Sequence, residues 1–160
     1  MEIKKIFDVL NANNVKYLVC GGLAVNIYGI PRMTADIDLL LDFDETNISN
    51  FENATKYLMF QSVIPIQINT FIKKEERLKA ITEKKLIAYS YFNANKGYMN
   101  LDVLLDTPID FNILWQQKTQ RMVGETVINL VSIEHLIQLK TYANRIQDQN
   151  DVLLLSKLIK

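Results

Sequence analysis

Carboxylates interrupt two apolar segments of this chain in a pattern that could bind metal ions. Asp36 and Asp38 stand in the run Asp-Ile-Asp-Leu-Leu-Leu, and Asp102 stands in Asn-Leu-Asp-Val-Leu-Leu. Residues i and i+2 of a strand project from one face, so Asp36 and Asp38 would lie side by side while Ile37 and Leu39 point into the core. Adjacent carboxylates repel, and their ionised state needs a cation. Hard oxygen ligands favour Mg²⁺ or Mn²⁺ over Zn²⁺.

Asp102 completes this site if its strand lies beside the strand of Asp36 and Asp38. Three carboxylates can hold two metal ions, the arrangement that serves in-line displacement at phosphorus. One carboxylate can also take the proton of an attacking hydroxyl. The alternative is that these acids are ordinary turn residues, in which case no metal binds and Asp38→Asn alters stability alone.

Two glycines, Gly21 and Gly22, separate an apolar run from a short helical segment. Without Cβ atoms, their backbone N–H groups can approach a phosphate, and the following helix adds the positive end of its dipole. The ordinary alternative is a tight turn without a ligand. Together with the carboxylates downstream, the glycines predict a site for a nucleoside triphosphate and its metals.

The elements that would position these residues alternate along the chain. Apolar spacing predicts helices at 3–10, 23–28, 46–60, 111–118, 133–140 and 148–159, with Val152, Leu155 and Ile159 on the core side of the last. Strands are predicted at 15–20, 36–41, 86–92 and 98–105, with a hairpin turn at 93–97 and a small hairpin over 122–131. Asp44, Asp110 and Ser132 are helix N-cap candidates.

Two segments are harder to assign. Residues 61–70 predict an irregular or edge segment, because Pro65 lies inside their alternating pattern. Residues 73–85 are highly charged, which is typical of either a short exposed helix or a mobile basic loop. The tight turn between neighbouring strands requires a mixed sheet. We therefore expect an α/β (α+β) fold with a mixed sheet flanked by helices, as one domain over 1–160 with C-terminal helices from about 132.

Composition excludes little. The chain has 160 residues, 49% of them apolar, and its 18 basic and 18 acidic side chains give a formal net charge of zero. Neither nucleic acid nor a membrane is favoured by that balance, and no apolar run approaches the ~20 residues of a membrane span. The single cysteine, Cys20, is expected to be buried, and its isolation suits a reducing cytoplasm, where we place the protein.

The motif residues resemble a known signature. Gly21-Gly22, the hydrophobic-flanked Asp36-Ile-Asp38 and a later strand aspartate, Asp102, resemble the nucleotidyltransferase superfamily of the DNA polymerase β type. More narrowly, Gly-Gly-Leu-Ala-Val-Asn-Ile-Tyr-Gly followed by Arg-Met-Thr-Ala-Asp-Ile-Asp-Leu-Leu is similar to the AbiEii-like bacterial branch. Residues 132–140 and 145–152 are similar to the closing helices of that branch.

The resemblance implies a minimal nucleotidyltransferase fold, two divalent metals (Mg²⁺ or Mn²⁺), and transfer of a nucleoside monophosphate from an NTP to a hydroxyl. It implies that Asp36, Asp38 and Asp102 are metal ligands and catalytic residues, with Asp102 a candidate base. On the nucleotide or phosphate side it implies Gly21, Gly22, Arg32, Thr34, Lys140 and Arg145.

Purely structural roles are the alternative for Arg32, Lys140, Arg145 and Asp148. Arg32 could be a surface loop residue, and Lys140 the solvated end of an amphipathic helix. Arg145 and Asp148 could form a local i, i+3 ion pair. His135 is expected to be an ordinary, partly exposed helix residue.

The acceptor and the partners are left open by the sequence. The acceptor hydroxyl could belong to RNA such as tRNA, to a protein or to a small molecule such as an antibiotic. Basic residues within 73–85 could contact RNA phosphates, although interleaved acids favour a solvated helix. The short C-terminal region favours a homodimer or a cognate partner protein. The alternative to a nucleotidyltransferase is a partner-binding member of a toxin–antitoxin pair with little or no catalysis. Neither function is expected to involve a membrane.

Overall fold

A computed structural model describes residues 2–93 and 99–159. The described helices are α1 (Glu2–Ala12), α2 (Gly21–Ile27), α3 (Glu45–Tyr57), α4 (Lys74–Lys84), α5 (Phe111–Gln116), α6 (Ile133–Ala143) and α7 (Ile146–Leu155), with a 3₁₀ turn at Ile68–Ile72. The described strands are β1 (Tyr17–Val19), β2 (Asp36–Leu41), β3 (Gln61–Ser62), β4 (Ala88–Phe92), β5 (Asn100–Leu104), β6 (Thr119–Val123) and β7 (Thr126–Leu130).

The strands form one mixed sheet in the order β3-β4-β5-β2-β1-β7-β6. Strand β2 lies at its centre, antiparallel to β1 and parallel to β5. The predicted hairpin pairing holds, because β4 and β5 run antiparallel. Most of the predicted turn between them, and the first residue of the second strand, lie outside the described residues. The α/β fold with a mixed sheet and a helical C-terminus is confirmed.

The core follows from alternation along the central strands. Ile37 and Leu39 of β2 are fully buried, as are Leu101 and Val103 of β5. The residues between them, including Asp38 and Asp102, therefore face the opposite side of the sheet. Helices cover the sheet through stripes at helical spacing, as in α1, where Ile6, Phe7 and Leu10 are buried. The apolar side of β2 thus fixes which way its carboxylates point.

Caps set the helix starts that position the site. The Asp44 side chain accepts from the Asn47 N–H at 2.9 Å at the start of α3, and the Ser132 hydroxyl accepts from the His135 N–H at 3.3 Å at the start of α6. The Asp110 side chain caps α5 in the same way. These three N-cap predictions are confirmed.

Several local expectations are decided by the structure. The segment after α3 forms a two-residue edge strand, as predicted, and residues 74–84 form a helix rather than a loop. The expectation of a partly exposed His135 is wrong: it is 9% exposed, in the first turn of α6 beside the Ser132 hydroxyl.

The placement of Ile159 on the core side of the last helix is also wrong. The backbone hydrogen bonds tighten to i→i−3 at Lys157 and Leu158, which ends α7 at Leu155 and leaves Ile159 exposed. No helix within the described ranges is long and apolar enough to cross a membrane.

Candidate active site

Parallel pairing of β2 with β5 gathers the predicted carboxylates on one face of the sheet. Asp38 is the register partner of Asp102, and Asp36 is the register partner of Asn100. Side chains in register on adjacent strands share a face, with backbones about 5 Å apart. The Asn100 amide donates to the Asp36 carboxylate at 3.2 Å. The sequence could place Asp36 and Asp38 together; the structure adds Asp102.

The crowding of these carboxylates affects the pKa of Asp38. Burial raises the pKa of Asp38 above its usual range, and repulsion from Asp102 and Asp36 adds to the effect. A hydrogen bond from the Gly22 backbone N–H and the positive charge of Arg145 act in the opposite direction. The carboxylate face therefore holds negative charge that a cation would stabilise.

The side chains fit a divalent metal by chemistry but do not form a closed site. Among residues 2–93 and 99–159, no three His, Cys, Asp or Glu side chains are placed to share one ion. The Asp38 carboxylate instead turns towards the glycines, where it accepts from the Gly22 N–H. Carboxylate oxygens are the donors that Mg²⁺ and Mn²⁺ prefer. Metal binding by Asp36, Asp38 and Asp102 stays a prediction.

The two glycines are required by what packs on them. Gly21 has a φ of +60°, and a Cβ there would overlap the Asp38 carboxylate, whose Cγ would lie 2.5 Å away. A Cβ at Gly22 would lie 2.5 Å from Arg32 Nη1 and 2.7 Å from Thr34 Oγ1. The turn at 21–22 is therefore in direct contact with three of the side chains that the sequence assigned to the site.

The turn also opens α2, whose N-cap residue Cys20 makes no side-chain cap bond. The Asp38 carboxylate serves the Gly22 N–H in its place. Cys20 itself is buried, as predicted, and burial raises the pKa of its thiol. The Gly22 N–H, which the sequence predicts to bind phosphate, is therefore already hydrogen-bonded to a carboxylate of the protein, Asp38.

A buried ion-pair network links the C-terminal helices to this turn. Lys140 Nζ of α6 lies 2.7 Å from Asp151 Oδ2 and 3.1 Å from Asp148 Oδ1, both on α7. Arg32 Nη1 reaches the same Asp151 oxygen at 3.2 Å, and Arg145 Nε pairs with Asp148 Oδ2 at 2.7 Å. We call these five residues the ion network. It joins the loop before β2 to the start of α7.

The ion network excludes the surface roles that were considered for Lys140 and Arg32. Lys140 is 4% exposed and is not a solvated helix end; Arg32, whose side chain is 15% exposed, is not a free surface arginine. The local Arg145–Asp148 ion pair is confirmed. Burial of Asp148 disfavours its charge, but hydrogen bonds from Arg145 and Lys140 outweigh this and lower the pKa of Asp148. The hydrogen bond to Asp148 raises the pKa of Arg145.

The three cations predicted on the phosphate side, Arg32, Lys140 and Arg145, therefore differ in how firmly they are paired with buried carboxylates. Arg32 and Lys140 share Asp151, whereas the Arg145 side chain is 71% exposed and lies close enough to Asp38 to lower its pKa. Phosphate binding by Arg32, Lys140 and Arg145 stays a prediction. Their geometry favours Arg145 as the cation that can move to a ligand without leaving a buried carboxylate unpaired.

Sequence reasoning missed the roles of Asp151 and Asn100. Asp148, Asp151 and Leu155 stand at i, i+3 and i+7, the spacing of a core-facing stripe, so two acids on that stripe were a usable signal of buried ion pairs. Asn100 precedes Asp102 by two residues and had to share its face. No local signal places Asn100 beside Asp36, because their segments are far apart in sequence.

A cavity of about 460 Å³ opens over the carboxylate face. Gly21, Asp38, Asp102, Lys140 and Arg145 line its polar end, and side chains of α4, α6 and the β5–α5 connection line the remainder. The structure thus brings most of the predicted site residues to one cavity. Asp36, Gly22, Arg32 and Thr34 are not part of that lining: Asp36 adjoins Asp38 on β2, and Arg32 and Thr34 pack on Gly22 at the glycine turn.

No family model and no curated protein matches the sequence. Solved structures do match. The chain is similar to ANT(2'')-Ia in complex with adenylyl-2''-tobramycin (13% identity, 99% of this chain and 87% of that chain, TM-score 0.60). It is also similar to the lincosamide antibiotic adenylyltransferase LnuA with lincomycin bound (16% identity, 97% and 94%, TM-score 0.61).

A third match is an antigenic nucleotidyltransferase-like protein from Paracoccidioides brasiliensis (18% identity, 97% of this chain and 73% of that chain, TM-score 0.59). At these identities the likeness establishes the fold: the chain folds as nucleotidyltransferases do. The AbiEii-like branch suggested by the motifs is not among these structures.

Proposed function

We propose that the chain is a nucleotidyltransferase that moves a nucleoside monophosphate from an NTP to a hydroxyl acceptor. One observation carries the proposal: Asp38 and Asp102 stand in register on adjacent strands, on the polar end of a cavity that the glycine turn also lines. The nucleotidyltransferase fold of the chain and of its structural neighbours supports it.

Each group in this arrangement has a chemical task. Asp36, Asp38 and Asp102 would hold Mg²⁺ or Mn²⁺, which when bound supplies Lewis-acid stabilisation of the phosphate charge. Asp102 would take the proton of the acceptor hydroxyl. The acceptor oxygen forms a bond to the α-phosphorus as the α–β phosphoanhydride bond breaks, and pyrophosphate leaves.

The glycine turn and the ion network would hold the nucleotide. The Gly21 and Gly22 N–H groups would bind phosphate oxygens, with Arg145 as an additional donor. The Gly22 N–H now serves Asp38, so a triphosphate would compete with that carboxylate for this donor. Arg32 and Thr34 would keep the turn in place from behind, and Lys140 would fix α6 against α7.

The acceptor is a narrower proposal. Two structural neighbours are described by the antibiotics in their complexes, tobramycin as its adenylyl adduct and lincomycin, which supports a small-molecule hydroxyl. The motif resemblance supports the RNA-modifying, toxin-related branch, and a protein hydroxyl is the remaining choice. We place the reaction in the cytoplasm on the basis of the single buried cysteine.

The position of the label distinguishes this reaction from its alternatives. Purified protein is incubated with Mg²⁺ and each NTP labelled at the α- or γ-phosphate, together with pools of tRNA, protein or small alcohols. Transfer of the α-label alone, lost in Asp36→Asn/Asp38→Asn, is the expected result. Transfer of the γ-label would assign a kinase reaction instead.

A partner-binding role with little catalysis is the second candidate, and exposed apolar side chains at the C-terminal helices favour it. Tyr142, Ile146 and Leu153 are 74%, 88% and 59% exposed. A cognate partner or a homodimer would cover such side chains. Light scattering of the purified chain tests the homodimer, and the double aspartate variant should leave that assembly unchanged if binding is its role.

A further inference from the structure

The strand order separates a nucleotide side of the cavity from an acceptor side. The glycine turn follows β1, Asp38 lies on the central β2, and Asp102 lies on β5, with β4 next in the sheet. A triphosphate on the glycine turn therefore lies on one side of β2, and the side beyond Asp102 remains for the acceptor. This step rests on the proposed function.

The wall beyond Asp102 is apolar. The cavity is lined there by Ile87 just before β4, Ala88 at the start of β4, Leu104 at the end of β5 and Pro108 after it. Ile81 of α4 also lines the cavity, and α6 contributes further apolar side chains: Leu136, Leu139, Tyr142 and Ala143. Small-molecule sites have this character, with apolar walls, a few polar groups and volumes of about 300–1,000 Å³.

Among the described lining residues, no cation remains for a polyanionic acceptor once Arg145 binds the NTP. Asp38, Asp102, Asp106 and Asp148 all line the cavity. The lining cations within the described residues are Lys140 and Arg145, and both are paired with Asp148.

Burial lowers the pKa of Arg77 of α4, and the nearby charge of Asp106 opposes that shift. The Arg77 guanidinium donates to the Phe71 and Ile72 carbonyls and stacks on the Phe43 ring, 4.4 Å from its centroid. It is committed to the protein. Phosphates of RNA need Lys or Arg side chains to replace their counterions, and an anionic acceptor would meet the Asp106 carboxylate here instead.

We propose that this apolar end binds a small alcohol with an apolar body and no negative charge, and presents its hydroxyl to Asp102. The apolar body lies against Ile87, Leu104 and Leu139, and a protonated amine on the acceptor is tolerated beside Asp106. The cavity selects small neutral or cationic alcohols over RNA ends.

The test measures binding, which needs neither NTP nor metal. Ligand-observed NMR titration uses two matched probes, 4-phenylbutan-1-ol and the 4-phenylbutanoate anion, on the full chain. The alcohol is expected to bind the wild type saturably, and the anion at least threefold more weakly. Ile87→Glu places a charge on the apolar wall and should weaken alcohol binding at least threefold. Ile113→Glu, on α5 away from the cavity and also exposed, should leave it unchanged.

Tyr142→Ser is a second cavity variant, because Tyr142 is exposed at the rim and its replacement leaves the core intact. Its expected result is weaker alcohol binding, as for Ile87→Glu. Equal affinity for the two probes, an equal effect of the variants at 87 and 113, or no saturable alcohol binding would each overturn the proposal.

Transfer of an α-label into tRNA that Ile87→Glu leaves unchanged would also overturn it. If the wild type transfers no nucleotide but shows the expected binding of the alcohol over the anion, the proposed function alone is contradicted.

Discussion

Gly21 shows at the level of one residue why the motif tolerates no side chain. Its φ of +60° is a conformation that L-residues rarely adopt, and its Cα faces the Asp38 carboxylate. Gly124 has a similar φ of +64°, but a Cβ added there would lie 3.7 Å from Lys4 Cε, an ordinary van der Waals contact. The two glycines separate the cost of the backbone conformation from the cost of the clash.

Gly21→Ala is expected to lower the free energy of unfolding by clearly more than Gly124→Ala, whose backbone strain alone costs roughly 1–2 kcal/mol. Replacing Asp38 with Ala in the same chain removes the overlapped side chain and should recover part of the loss. Urea unfolding of the two single variants and the double variant measures this coupling. Equal losses at positions 21 and 124 would show that Asp38 does not lie against the turn.

Asp38→Asn is expected to keep or raise the melting temperature at pH 7 in the absence of metal. The pKa of Asp38 is raised in the folded state, so its contribution to the free energy of unfolding is fully present below the unfolded pKa of about 4. That contribution is lost as pH rises through the folded pKa. The asparagine oxygen can still accept from Gly22 without the repulsion of Asp102.

Calorimetric melting with chelator and then with Mg²⁺ checks this. The wild type should gain stability on adding Mg²⁺ and Asp38→Asn should not. Asp42→Asn, which removes only a surface pairing with Lys16 at 3.5 Å, is the control and should respond to Mg²⁺ as the wild type does. A melting temperature several degrees lower for Asp38→Asn with chelator would contradict the account of Asp38.

At the level of elements, the ion network fixes α6 and α7 to each other and to the loop before β2. Lys140→Met leaves Asp148 and Asp151 buried with one fewer cation between them, so the free energy of unfolding should fall by about 3–5 kcal/mol. Lys79→Met on the exposed surface of α4 should change it by less than about 0.5 kcal/mol. Denaturant unfolding followed by circular dichroism compares the two; similar small losses would mean that Lys140 is not a structural cation.

The pH dependence of stability reports on the same elements. The folded pKa of Asp148 is lowered, so its contribution is present above the unfolded pKa of about 4 and is lost as pH falls through the folded pKa. Asp148→Asn should therefore destabilise the chain at pH 7 and approach the wild type as pH falls below about 4. Unfolding at several pH values checks this, and a difference that is constant with pH would count against a charged Asp148.

The elements themselves could largely be predicted from the sequence. Strand β2 has the predicted bounds, because its acids alternate with apolar residues up to Leu39 and the apolar run continues to Leu41, and α1 has a clear helical stripe. The end of α7 could not be predicted, since Ile159 continues the apolar spacing beyond the point where the hydrogen bonds tighten. The burial of His135 depends on its partner Ser132 and on packing that no local pattern encodes.

At the scale of the whole molecule, the site is a product of the sheet order. The face shared by Asp36 and Asp38 follows from their spacing, but the register of Asp38 with Asp102 joins segments 64 residues apart and needed the fold. The ion network was out of reach for the same reason: Lys140 and Arg32 had surface alternatives that only tertiary packing excludes. The zero net charge of the chain conceals a cavity lined by four carboxylates.

The proposed reaction requires that Asp36, Asp38 and Asp102 bind an NTP through divalent metal at the glycine turn. Isothermal titration calorimetry of each NTP with Mg²⁺ into wild-type protein and into Asp36→Asn/Asp38→Asn tests it most directly. Mg²⁺-dependent heat of binding is expected for at least one NTP in the wild type and for none in the variant. Equal heats in both proteins, or no NTP binding by the folded wild type, would contradict it.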